Sequence, residues 1–163
     1  MTMTAAEPTV SPIPEGFHSV TPSLVVDGAS DAIAFYIRAF DAVEVDRATG
    51  PDGVKIMHAT ISIGDSKIMV NDAFPDWGVF SPAKYGGSAM SIHLYVADAD
   101  ATFDQAVAAG ATPTMPMSDA FWGDRYGQLK DPFGHTWSIA THKQNVSDED
   151  LKEAVASMQG CAP

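Results

Sequence analysis

Residues 121–137 read Phe121-Trp122-Gly123-Asp124-Arg125-Tyr126-Gly127-Gln128-Leu129-Lys130-Asp131-Pro132-Phe133-Gly134-His135-Thr136-Trp137. Strands are expected over 125–130 and 135–141. Asp131-Pro132-Phe133-Gly134 turns the chain between them, since proline presets φ and glycine tolerates positive φ. Upstream, a strand at 111–117, a helix at 99–109 and a strand at 88–96 complete the order βαβββ.

The same order runs earlier in the chain. A strand is expected at 19–26, and a helix at 30–40 carries Ala32, Ile33, Phe35, Tyr36, Ala39 and Phe40 at helical spacing, with Ser30 as its N-cap. A strand at 42–47 alternates Val43 and Val45 with Glu44 and Asp46 as a half-buried strand should, and Gly50-Pro51-Asp52-Gly53 marks a turn. Strands at 54–63 and 67–72 are joined by Gly64-Asp65. Ser30-Asp31-Ala32 answers Ala99-Asp100-Ala101, and Ile63-Gly64 answers Phe133-Gly134, at an offset of about 70 residues.

Outside the repeats, Pro8, Pro12 and Pro14 lie among small polar residues and predict a flexible arm over 1–16. A domain over 17–143 then holds modules at about 17–73 and 88–142. A C-terminal helix and tail fill 144–163. There Ser147 opens the helix, Glu149 and Asp150 sit in its first turn, Gly160 follows its end, and Leu151, Ala154, Val155 and Met158 form an apolar stripe.

The chain has 163 residues, 45% of them hydrophobic and 18% charged, enough for one core without disulfides. A formal net charge of -12 opposes nucleic acid and anionic membranes as partners. Walker and Rossmann glycine fingerprints are absent. Cys161 is the sole cysteine, so neither an intrachain disulfide nor a cysteine-built zinc site is available, as suits a cytoplasmic protein. No apolar run approaches the roughly 20 residues of a membrane span, and no signal peptide is recognisable.

The two repeats, Phe121 through Gly127 and the Asp131-Pro132-Phe133-Gly134 strand start together resemble the vicinal oxygen chelate (glyoxalase/bleomycin resistance/dioxygenase) superfamily, within it the PhnB-like branch. The resemblance covers about His18 to Thr141. It implies an α+β fold: two tandem βαβββ modules forming a curved mixed sheet, helices on the convex side, a concave ligand cleft, and often a homodimer. The superfamily includes metal-dependent isomerases, lyases and dioxygenases as well as metal-free proteins that sequester antibiotics, so the fold does not select the chemistry.

Period two assigns strand faces. With Met57, Ala59, Ile61 and Ile63 in the core, His58, Thr60 and Ser62 turn to the cleft. Ile68 and Val70 leave Lys67, Met69 and Asn71 there; Ile92, Leu94 and Val96 leave Ser91, His93 and Tyr95; Trp137 and Ile139 leave Thr136, Ser138 and Ala140. The first strand offers Thr21, Ser23 and Val25. Trp122, Asp124, Tyr126 and Gln128 form one further face, with Trp122 and Tyr126 either cleft walls or an aromatic edge under a loop, and Arg125 paired to Asp124 or another acid.

Metal-dependent relatives take His, Gln or Glu from the first and last strand of each module. The matching positions here are Thr21, Met69 (or Ile68), Ser91 and Ser138, none of them such a ligand. No cofactor is therefore expected. His58 and His93 are the candidates for acid-base chemistry or for a displaced metal site, with Asp72 and Asp124 the nearest acids to complete a ligand set, whereas His135 and His142 fall at strand edges, where solvated or capping roles are usual. The expected ligand contacts are His58, Met69, Asn71, Ser91, His93, Tyr95, Trp122, Tyr126 and Ser138. They suit a small-molecule-binding protein that sequesters an aromatic or oxygen-rich ligand. The alternatives are an enzyme of the same superfamily with a shifted metal site or a His general base, and a purely structural or interaction role.

Overall fold

In the computed structural model, which describes residues 10–158, the two repeats are two four-stranded sheets. The first holds β1 (Ser23–Val26), β2 (Val43–Thr49), β3 (Ile56–Ile63) and β4 (Ser66–Asp72) in the order β1-β4-β3-β2, with α1 (Ala29–Phe40) crossing from β1 to β2. The second holds β5 (Ser91–Tyr95), β6 (Thr112–Asp119), β7 (Asp124–Lys130) and β8 (Thr136–His142) in the matching order β5-β8-β7-β6, crossed by α2 (Ala99–Ala109). In each sheet the first and last strands run parallel and the remaining pairs antiparallel. The expected tandem βαβββ architecture is thus present. No helix among the described residues is long and apolar enough to cross a membrane.

The repeat extends to the helix starts. Ser30 does not cap α1. The cap position is Gly28, at φ 87°, and the buried Asp72 at the end of β4 accepts the Gly28 and Ala29 N–H groups at 3.0 and 2.9 Å and the Ile56 N–H at 2.7 Å. A carboxylate from a distant strand replaces the local cap because Gly28 has no side chain to offer. At the corresponding end of β8, Thr141 Oγ1 accepts the Ala99 N–H of α2 at 2.8 Å, and Asp98 accepts the Ala101 N–H.

One core serves both modules. Leu24, Val26, Ala59, Ile61 and Val70 pack under α1, and Leu129, Trp137 and Ile139 continue the same cluster. α1 lies against α2, and its Phe40 ring meets Trp137 of β8 at 4.5 Å. The Asp131 carboxylate joins the modules by accepting Tyr36 Oη from α1 at 2.8 Å and Trp137 Nε1 at 3.0 Å on Oδ2, while its Oδ1 receives the Phe133 and His135 N–H groups.

Four further expectations change. The first strand begins at Ser23 instead of residue 19, because Pro22 has no N–H to give a ladder. Met57 is exposed and Ile56 takes its place in the core, since the β2/β3 register shifts between Ala48 and Thr49 and reverses the alternation there. β2 is an edge strand with Val43 and Val45 exposed, not half-buried. His135, expected at a solvated edge, is buried. In α3 (Asp148–Met158), Ser147 Oγ accepts the Asp150 N–H as an N-cap, Val155 is exposed, and Leu151 and Ala154 are half-buried. Residues 1–9 of the expected arm, Gly160 and Cys161 lie outside the described residues.

Candidate functional site

β5 and β8 lie side by side with His93 opposite Ser138 and Tyr95 opposite Ala140, so alternation puts all four on the face turned away from α2. β7 adds Asp124, Tyr126 and Gln128 to that face, pairing Tyr126 with Ala140 and Gln128 with Ser138. His93 Nδ1 meets Ser138 Oγ at 2.8 Å. The His93 ring is 4.4 Å from Tyr95, edge to face, and stacks near Tyr126 at 6.0 Å. Tyr126 lies 5.1 Å from Trp122, which in turn meets Phe121 at 5.0 Å.

Asp124 holds this wall from beneath. It is 2% exposed and accepts Trp122 Nε1 at 2.9 Å and Tyr95 Oη at 3.1 Å on one oxygen, and His142 Nδ1 at 2.7 Å on the other. Burial alone would raise the Asp124 pKa, but these three donors outweigh it and leave the carboxyl below its ordinary value. His142 moves upward, because Asn145 Oδ1 at 3.0 Å and Asp124 both favour its protonated ring. The rings keep free surface, with Tyr95 60% and Trp122 37% exposed. Gly123 lets the chain beyond β8 close over this corner: its φ is 98°, and a Cβ there would stand 2.1 Å from Gln144 O.

The structure therefore gathers six of the nine expected contacts, Ser91, His93, Tyr95, Trp122, Tyr126 and Ser138, on one face. His58, Met69 and Asn71 belong to the first module. There His58 Nε2 lies 3.3 Å from Thr60 Oγ1 and 3.6 Å from Asp46, Met69 pairs with Thr60, and Asn71 Nδ2 donates to Asp72 O. Among the described residues, no hydrogen bond or ring contact links these three to the aromatic wall. Ser91 is exposed at the start of β5. Arg125 pairs with Asp100 at 2.8 Å and Asp119 at 3.4 Å, so it does not touch Asp124.

Sequence reasoning missed the role of His142 and saw Asp124 as one member of a face and a nearest acid to the candidate histidines, not as the carboxylate that holds the wall. The signal for both was parity, since Asp124 and His142 are directly paired across β7 and β8. Among the described residues, no three His, Cys, Asp or Glu side chains converge.

Residues 16–139 match the sequence profile of the Glyoxalase/Bleomycin resistance protein/Dioxygenase superfamily. The uncharacterized protein Rv0887c of Mycobacterium tuberculosis is 44% identical over 142 residues, covering 85% of this chain and 83% of that protein. The X-ray structure of the Arabidopsis thaliana gene product At5g48480 superposes with a TM-score of 0.61 at 30% identity, covering 76% of this chain and 98% of the other. A PhnB protein from Bacillus cereus, described as a putative 3-demethylubiquinone-9 3-methyltransferase, superposes with a TM-score of 0.58 at 22% identity over 76% of this chain and 99% of its own, a likeness of fold.

Proposed function

The chain belongs to the Glyoxalase/Bleomycin resistance protein/Dioxygenase superfamily, and from that premise we propose that it binds a small aromatic or oxygen-rich molecule on the concave face of its second module without a resident metal. The observation that carries the reading is the Asp124-anchored wall of Tyr95, Trp122, Tyr126 and His93. Rings fixed before binding lose little side-chain entropy when a ligand stacks on them. Ser138 and the His93 imidazole supply the sparse polar contacts that orient a ligand in such sites.

The metal positions of the superfamily do not fit a divalent ion here. Thr21, Met69, Ser91 and Ser138 offer hydroxyls and a thioether in place of imidazole and carboxylate, and His93 Nδ1 is already engaged by Ser138. No step is derived through a metal.

Calorimetric titration with a panel of aromatic antibiotics and phenolic metabolites, coupled to mass spectrometry of the recovered compound, tests the proposal. A compound should bind saturably and be recovered unchanged, and Trp122→Ala and Tyr126→Ala should each weaken it about tenfold or more. Binding indifferent to both substitutions would overturn it. Stoichiometric metal retained after reloading with Ni, Co, Zn, Mn or Fe(II) would overturn its metal-free part.

A second reading rests on His93. Ser138 orients the ring through Nδ1, leaving Nε2 with no partner among the described residues, as a general base requires. Conversion of a bound carbonyl compound, abolished in His93→Ala with binding retained, would select it. We also propose a homodimer, supported by the exposed valines of the β2 edge.

A further inference from the structure

A second cleft, of ≈ 760 Å³, lies away from the aromatic wall, between β1 and the segment that links the modules. Ser23 and Val25 of β1, Phe80, Tyr85 and Met90 of the link, and His135 line it. Apart from His135, no residue lining it is ionisable below the range of tyrosine. A charged molecule entering it would meet no countercharge from the other lining side chains.

The link is held in place from two sides. Ser81 Oγ donates to Asp27 Oδ2 at 2.5 Å, and Pro82 seats on the turn at Gly134, where a Cβ would approach Pro82 Cβ to 2.9 Å. The wall carrying Phe80 and Tyr85 is therefore positioned by the Ser81 and Pro82 contacts.

His135 is only 7% exposed, and its Nε2 lies 3.1 Å from Val25 O. A carbonyl oxygen can only accept, so Nε2 carries the proton and Nδ1 of the neutral ring is a lone-pair acceptor. No group among the described residues donates to Nδ1. No fully enclosed side-chain nitrogen or oxygen there lacks a partner either, so Nδ1 is reached from outside, and the space that His135 lines is this cleft.

The repeat supplies a control. The corresponding gap beside β5 is bounded by His18, Val20, Thr21 and Pro22 and keeps only ≈ 150 Å³. Lys67 ties down the chain that precedes this segment, donating to Glu15 O at 3.0 Å and lying 4.5 Å from the Phe17 ring. One of two repeat-related gaps is narrow and the other open, so the fold itself does not require the opening.

We propose that this cleft binds an uncharged aromatic molecule that donates its own N–H or O–H to His135 Nδ1, with Phe80 and Tyr85 against its ring. The probes are 1-naphthol and 1-methoxynaphthalene, which share a ring system and differ in the donor. Each is titrated into the full chain with the imidazole and aromatic resonances followed by NMR. The expected result is that 1-naphthol shifts the His135 ring signals and binds about tenfold more tightly than the methyl ether, the effect of one hydrogen bond to a buried imidazole. His135→Leu should abolish that preference. Should that buried substitution prevent folding, Tyr85→Ala, which removes an exposed ring, should weaken 1-naphthol several-fold while Trp77→Ala, an exposed ring outside both sites, leaves it unchanged. Equal affinity for the two probes, no binding, or shifts confined to Trp122 and Tyr126 would overturn the proposal. The last outcome would leave the aromatic-wall reading standing.

Discussion

At the scale of single residues, two buried carboxylates explain the sequence phrases at 121–127 and 131–137. Asp131 accepts four donors and Asp124 three. Asp131→Ala leaves Tyr36 Oη and Trp137 Nε1 unpaired in the interior and should destabilise the protein by roughly 3 kcal/mol or more in urea unfolding. The Asp124–His142 pair has a defined pH window. The depressed Asp124 pKa adds stability that is present above the ordinary carboxylate value and lost as pH falls through the lowered folded value. The raised His142 pKa adds stability that is present below the ordinary histidine value and lost as pH rises through the elevated folded one. In Asp124→Asn, the His142 imidazole should titrate at lower pH by NMR than in the wild type, and an unchanged titration would show that the Asn145 contact alone sustains the shift.

At the scale of elements, the repeat is expressed in how each helix begins. α1 depends on Asp72, which satisfies two helix-start N–H groups and one from β3, whereas α2 has both its own Asp98 and Thr141. Asp72→Ala should therefore cost more, about 2–3 kcal/mol, than Thr141→Val, at about 1 kcal/mol. Chemical denaturation of the two variants checks the order. Element identity was legible from periodicity, and the α2 limits, 99–109, were read correctly. Register was not. Met57 took the core position on paper because strict alternation was carried across the β2/β3 irregularity, and nothing in residues 54–57 announces a bulge.

At the scale of the whole molecule, the modules share one core and one buried hydrogen-bond junction at Tyr36, Asp131 and Trp137. Unfolding should proceed as a single transition by both fluorescence and circular dichroism. Tyr36→Phe should lower its midpoint without splitting it, by about 1–2 kcal/mol. For the proposed homodimer, Val43→Lys together with Val45→Lys should shift the mass measured by light scattering from two chains to one, if β2 is the contact. An unchanged mass would move the interface elsewhere.

The sequence by itself determined the architecture. Strand alternation, helical spacing and the turn residues are local, and they recur at a fixed offset, so two βαβββ modules follow from short-range physics. It also placed His93, Tyr95 and Ser138 on one face, because parity within a strand is a local property, and left Tyr126 between a cleft wall and an aromatic edge. Only the tertiary structure decided which faces meet. The aromatic wall stands on Asp124 through donors as far away as Tyr95 and His142, while His58 and Asn71, equally eligible by parity, make no hydrogen bond or ring contact with it among the described residues. His135 became a buried, half-satisfied imidazole through a carbonyl 110 positions away in the chain. Contacts of that kind depend on how the modules pack and on side-chain geometry across the core, which periodicity cannot encode.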